Sequence, residues 1–148
     1  MRKMGTAAVR ILKSFGAEAR MVETSGYPAV SGGWFVGNHY PTVTIYNHLD
    51  VQPADEPEWR HSPFTFQKES DRYHGRGTTD DKGPALTALF AARYVIENKL
   101  PLNVRFLWEL EEEIGSPNFA ELLTQPELVP RSDSVLVSDT IWVAKQRP

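Results

Sequence analysis

The spacing of apolar positions changes several times along the chain. Between Thr6 and Phe15, Ala7, Val9, Ile11 and Leu12 recur at roughly helical intervals and Gly16 supplies a stop, which predicts an opening amphipathic helix. Three short apolar stretches follow at Met21–Val22, Trp34–Val36 and Val43–Tyr46. The turn compositions SGYP, SGG and GNHYP separate them, so three strands are expected. From Val51 to Tyr73, proline, charge and isolated aromatics mix without a sustained period, predicting a long loop with at most short strands. At Lys82 the pattern changes. Gly83-Pro84 suits a helix start, and Ala85–Asn98 is dense in alanine and leucine, the clearest helix in the chain. Val104–Leu110 is an apolar, β-branched and aromatic run, Pro117–Leu123 reads as a further helix, and Ser134–Val137 as a short buried strand. Helices alternating with buried strands predict an α/β fold: a mixed, largely parallel sheet flanked by helices.

Composition narrows the possibilities. The 148 residues are 41% hydrophobic, enough for one core and one domain. A net charge of −3, with both signs interspersed, provides no basic stripe, so neither nucleic acid nor a membrane surface is an expected partner. No apolar run reaches bilayer length, and the first residues carry no continuous apolar signal region, so a cytoplasmic setting is expected. The absence of cysteine excludes disulfides, thiolate nucleophiles and cysteine-bound zinc; any metal must be held by His, Asp and Glu.

Those residue types cluster at the predicted strand ends. His48 and Asp50 are separated by one residue, so in extended chain both point to one face, as suits an imidazole ligand and the carboxylate that orients it. A solvated turn is the plain alternative. Asp80 and Asp81 stand side by side in GRGTTDDKGP; adjacent carboxylates repel, so the pair faces water or a cation. Taken alone, capping of the following helix is the better account of that pair. In WELEEEIGS, Glu109, Glu111, Glu112 and Glu113 begin where a buried strand should end, which is either a solvated acidic turn or the sheet edge where α/β folds bind ligands. Asp139 has the same relation to its own strand. The recurrence of His48, Asp80, Glu112–Glu113 and Asp139 in one topological position favours a carboxylate-rich site for one or two divalent ions.

In order, YNHLDVQP, GRGTTDDKGP, EEEIGS and VSDT resemble the di-zinc metallopeptidase family that includes carnosinase, bacterial dipeptidases, glutamate carboxypeptidase, aminoacylase and succinyl-diaminopimelate desuccinylase. DVQP and DDKGP lean toward its dipeptidase and carnosinase branch. The resemblance implies that His48 ligates one metal, that Asp80 bridges both, that Asp139 joins the ion held by His48, and that Glu113 ligates the other. It further implies that Asp50 orients His48, that Asp81 supports the bridge, and that Glu112 is the general base. Trp59 and Pro63–Phe64 match a loop bordering the cleft, with a structural role at least as good an account of them. The implied cofactors are two divalent ions, Zn2+ first, with Mn2+ or Co2+ compatible with the same ligands. The implied reaction is hydrolysis of the amide bond of a small peptide substrate, a dipeptide or N-acyl amino acid, by a metal-activated water. The resemblance also calls for a final histidine ligand downstream and a lid or dimerisation domain, the latter implying a homodimeric parent. All four histidines, His39, His48, His61 and His74, precede Pro84. Residues 1–148 are therefore expected to be the N-terminal part of a catalytic domain. The alternatives are a non-catalytic metal-binding fragment, or acidic clusters that are solvated caps and confer no metal-dependent stabilisation.

Overall fold

In the computed structural model, which describes residues 1–128 and 132–139, helix α1 (Arg2–Ser14) begins one turn before the predicted start. Gly5 joins Ala8 and Leu12 on its buried face, and a Cβ at Gly5 would lie 3.0 Å from Met21 Sδ and 3.3 Å from Leu110 Cδ1. Strands β1 (Glu18–Val22), β2 (Ala29–Trp34) and β3 (Thr42–His48) follow. β2 departs most from expectation. Its strand runs through Gly32 and Gly33, which the sequence reads as a turn, and stops at Trp34, leaving Phe35 and Val36 exposed. The reason is close approach of backbones: a Cβ at Gly32 would meet Ala19 Cβ at 2.8 Å, and one at Gly33 would collide with the Val104 carbonyl.

The long loop contains the short hairpin β4 (Gln67–Glu69) and β5 (Arg72–His74). Helix α2 (Lys82–Glu97), strand β6 (Asn103–Glu109), helix α3 (Phe119–Leu123) and strand β7 (Ser134–Val137) follow, with single 3-10 turns at Glu112–Ile114 and Pro126–Leu128. The main sheet has the order β1-β2-β6-β3-β7. It is antiparallel across β1–β2 and β2–β6, then parallel across β6–β3 and β3–β7, a mixed sheet flanked by helices. Ala8 and Leu12 of α1 share one core with Ala85, Ala88 and Leu89 of α2 and with Val104, Phe106 and Trp108. On the opposite face Leu122 of α3 packs with Val22, Ala29 and Leu107. All seven positions of β6 are therefore buried, which accounts for its largely apolar sequence, with Asn103, Arg105 and Glu109 the buried polar exceptions.

β7 lies in the predicted place but is not buried. Val135 is 63% and Val137 51% exposed, because this edge strand pairs with β3 alone and no described element covers it. No helix among the described residues is long and apolar enough to cross a membrane. The consequence for function is directional. β3, β6 and β7 run parallel, so the segments after their C-terminal ends open on one edge, with His48 in register with Glu109 and Tyr46 with Val137.

Candidate metal centre

The parallel edge brings every predicted site residue together around His48, whose side chain is buried. Its Nε2 lies 2.8 Å from Asp80 Oδ1, 3.6 Å from Asp139 Oδ2 and 3.9 Å from Glu112 Oε2. Two donor sets converge closely enough for a common ion, His48–Glu112–Asp139 and His48–Asp80–Glu113. Nδ1 faces Asp50 Oδ1 at 3.3 Å, while Asp50 Oδ2 accepts the Glu113 backbone N–H at 2.8 Å. The expected same-face meeting of His48 and Asp50 thus holds, and Asp50 ties the imidazole to the acidic turn. Both Glu112 and Glu113 lie within ligand range, so position alone does not divide their roles.

The capping account of Asp81 fails. Asp81 occupies the position before α2 but makes no side-chain cap bond. Its Oδ2 instead accepts from Asn47 Nδ2 at 2.7 Å and from the His48 backbone N–H at 3.3 Å, and the side chain is wholly buried. Burial raises its pKa to about 6 against those two donors. For His48, burial disfavours the imidazolium, yet Asp50, Asp139 and Asp80 outweigh it and the pKa is raised to about 9. Burial also lifts the Glu112 carboxyl, helped by Asp139, Glu113 and Asp50 and opposed by His48. Burial favours neutral Lys82, opposed by Asp50, Asp80, Asp81 and Glu113. The field of this edge therefore calls for a cation at the imidazole.

The acidic run separates into distinct jobs that its sequence conceals. Glu109 is buried and accepts from Tyr46 Oη at 2.6 Å. Glu111, also buried, accepts the Tyr27 N–H and Asn118 Nδ2, each at 2.8 Å, and clamps the 24–27 turn. Only Glu112 and Glu113 reach the centre. Sequence reasoning did not single out Asn47, Gln52 or Ser138: Gln52 Nε2 donates to Glu113 Oε2 at 2.7 Å, and Asn47 reaches Ser138 Oγ at 2.9 Å. An amide at position 47, inside a strand whose residues are buried or half-buried, was the available signal.

Trp59 and Phe64 lie apart from the imidazole. Trp59 Nε1 donates to Glu56 at 2.9 Å and its ring stacks 5.3 Å from the Arg76 guanidinium, whereas Phe64 is exposed. A cavity of about 600 Å3 lies in this loop beside Trp59, His61, His74 and Arg76, and His48 is not among its lining residues. The candidate donors sit instead at the sheet edge, where Asp80, Glu112 and Asp139 retain access to solvent.

Comparison with known proteins identifies the family of the chain. The chain is 37% identical over 112 residues to human Beta-Ala-His dipeptidase, covering 72% of this chain and 22% of that protein. It is 33% identical over 147 residues to a Cys-Gly metallodipeptidase of Candida albicans, covering 93% and 30% respectively. Among solved structures, an M20 family metallo-carboxypeptidase from Sulfolobus solfataricus superimposes with a TM-score of 0.84 at 34% identity, over 93% of this chain and 32% of that one. Human carnosine dipeptidase 1 gives a TM-score of 0.82 at 29% identity, over 95% and 33%. The chain thus spans between 22% and 30% of these curated relatives. The profile of Peptidase family M20/M25/M40 matches residues 44–146, most of the chain, and the chain belongs to that family.

Proposed function

We propose that the protein hydrolyses the amide bond of dipeptides or small N-acyl amino acids, using two divalent ions, Zn2+ first, held by His48, Asp80, Glu113 and Asp139. The observation that carries this reading is the convergence on one imidazole of carboxylates from three other segments of the chain. The donors are nitrogen and oxygen only, which suits zinc, manganese or cobalt. An imidazole nitrogen serves one ion, whereas a carboxylate has two oxygens. The two donor sets share His48, and every carboxylate in them offers two oxygens; the family resemblance is what assigns the bridging role to Asp80. The names of the relatives, dipeptidases for β-Ala-His and Cys-Gly, support a small peptide substrate.

When bound, the ions would supply Lewis acidity toward the amide carbonyl and toward water. The chain's residues divide the remaining work. Asp50 holds His48 at Nδ1 and so leaves Nε2 for the ion. Gln52 and the Asp50-bound backbone fix Glu113 as a ligand. Glu112, its carboxyl lifted by burial, takes a proton from the attacking water and returns it to the leaving amine. Glu112→Gln should keep the metal and lose hydrolysis by about 10²–10⁴-fold, whereas Asp80→Ala should lose both. Metal content by mass spectrometry and zinc-dependent dipeptide hydrolysis test this. Equal loss of metal in the two variants overturns the role assignment, and bound metal without hydrolysis in the unaltered protein favours a metal-binding chain that lacks the reaction.

A further inference from the structure

Asn47 takes no part in the chemistry above, yet it is wholly buried beside the centre. Its Nδ2 donates to Asp81 Oδ2 at 2.7 Å and to Ser138 Oγ at 2.9 Å. These partners are remote from each other in sequence, and each adjoins a carboxylate of the donor sets: Asp81 follows Asp80, and Ser138 precedes Asp139. The same Asp81 oxygen accepts the His48 backbone N–H, so one carboxylate and one amide connect three ligand-bearing positions.

The turn at Asp81 is also held by the His48 N–H and by the Lys82 N–H on the Gly77 carbonyl, but neither of these bonds reaches the Ser138 strand end. Asp81 gives no cap bond to α2. The β3–β7 ladder ends at Tyr46 and Val137, so Ser138 is the first residue beyond it, on an edge strand whose side chains are exposed. The Asn47–Ser138 contact carries the register past the last ladder pair.

We propose that Asn47 is a positioning residue that fixes the Asp80–Asp81 turn against the Ser138–Asp139 strand end, and so sets the separation of the two carboxylates that flank the ions. This rests on the two-ion reading above. Groups that orient metal ligands typically change affinity about 10–100-fold when removed, and that is the expected loss of zinc affinity for Asn47→Ala. Ser138→Ala removes only one arm and should cost about tenfold or less. The double variant should be no worse than Asn47→Ala alone, because both act through one clamp.

The test is a zinc competition titration of the purified protein and its variants, with the visible absorption of the cobalt-substituted forms and urea unfolding of each metal-free form. Altered cobalt spectra with non-additive zinc losses support the proposal. A merely structural role predicts lower unfolding midpoints with unchanged cobalt spectra and zinc affinities, and that result overturns it. Should Asn47→Ala not fold, Ser138→Ala decides alone: an unchanged zinc affinity and cobalt spectrum overturns the clamp. Unaltered protein that binds no zinc sinks the two-ion reading and this inference together, whereas normal binding by the unaltered protein and all variants sinks only this inference.

Discussion

Raising the pH should weaken the metal-free fold through His48. Burial opposes the imidazolium, but Asp50, Asp139 and Asp80 prevail, so its folded pKa of about 9 lies above the ordinary 6.5. A raised basic group contributes its full stability below the unfolded pKa and loses it as pH climbs through the folded one. The gap from 6.5 to about 9 corresponds to about 3 kcal/mol. His48 is 1% exposed but Asp80 and Asp139 are 58% and 32% exposed, so solvent screens part of that and about 3 kcal/mol is its upper bound. Urea unfolding in the presence of a chelator, from about pH 6 to above pH 9, should show this loss. His48→Gln should be nearly flat across the same window. A metal ion must displace the proton, so zinc binding near neutrality should release close to one proton, and affinity should rise by up to about tenfold per pH unit toward pH 9. A flat profile for the unaltered protein, or an equal loss in His48→Gln, would refute the electrostatic account of the centre.

Three further perturbations separate neighbouring residues. Asp81 is a carboxyl raised from 3.8 to about 6, so its ionisation weakens the metal-free fold as pH climbs through that window, by about 3 kcal/mol; chelator-treated Asp81→Asn should show no such decline in urea unfolding. Glu111→Ala strands the Tyr27 N–H and Asn118 amide and should cost about 1–3 kcal/mol, with zinc content by mass spectrometry unchanged, the opposite of Glu113→Ala. Gly33→Val drives a side chain into the Val104 carbonyl and should cost about 1–3 kcal/mol, read as a lower thermal midpoint.

The helices and most strands were legible because each carries a period of its own. β6 reads as a mostly apolar, β-branched and aromatic run because sheet neighbours and helices cover it on both faces, and α2 reads from its alanine and leucine content. β2 was misplaced for a reason local pattern cannot carry: Gly32 and Gly33 are demanded by two neighbouring backbones, and those neighbours come from distant sequence. The exposure of β7 has the same origin, since three apolar residues after Ser134 do not reveal how many strands will flank them. At the candidate site, His48, Asp80, Glu112, Glu113 and Asp139 were legible as metal-ligating residue types recurring at strand and loop ends, with Asp50 beside His48, and the structure brings them together. Asn47, Gln52 and Ser138 were not, because they act on those donors through contacts made only after the sheet has formed.

The charge balance at the edge explains why such supports are needed. Asp50, Asp80, Asp81, Glu112, Glu113 and Asp139 surround a single imidazole, with Lys82 the nearby amine. Bringing like charges this close is unfavourable unless a cation offsets them. Before an ion binds, repulsion therefore pushes apart the very segments that must supply its ligands. The fold counters this with neutral donors placed behind the carboxylates: Asn47 and the His48 N–H on Asp81, the Glu113 N–H on Asp50, and Gln52 on Glu113. Each lowers the free energy of a carboxylate without occupying the oxygen that faces His48 from Asp80 or Asp139. Preorganisation by uncharged groups keeps the net negative field that draws a divalent ion, whereas lysines or arginines in the same places would hold the loops equally well and cancel it.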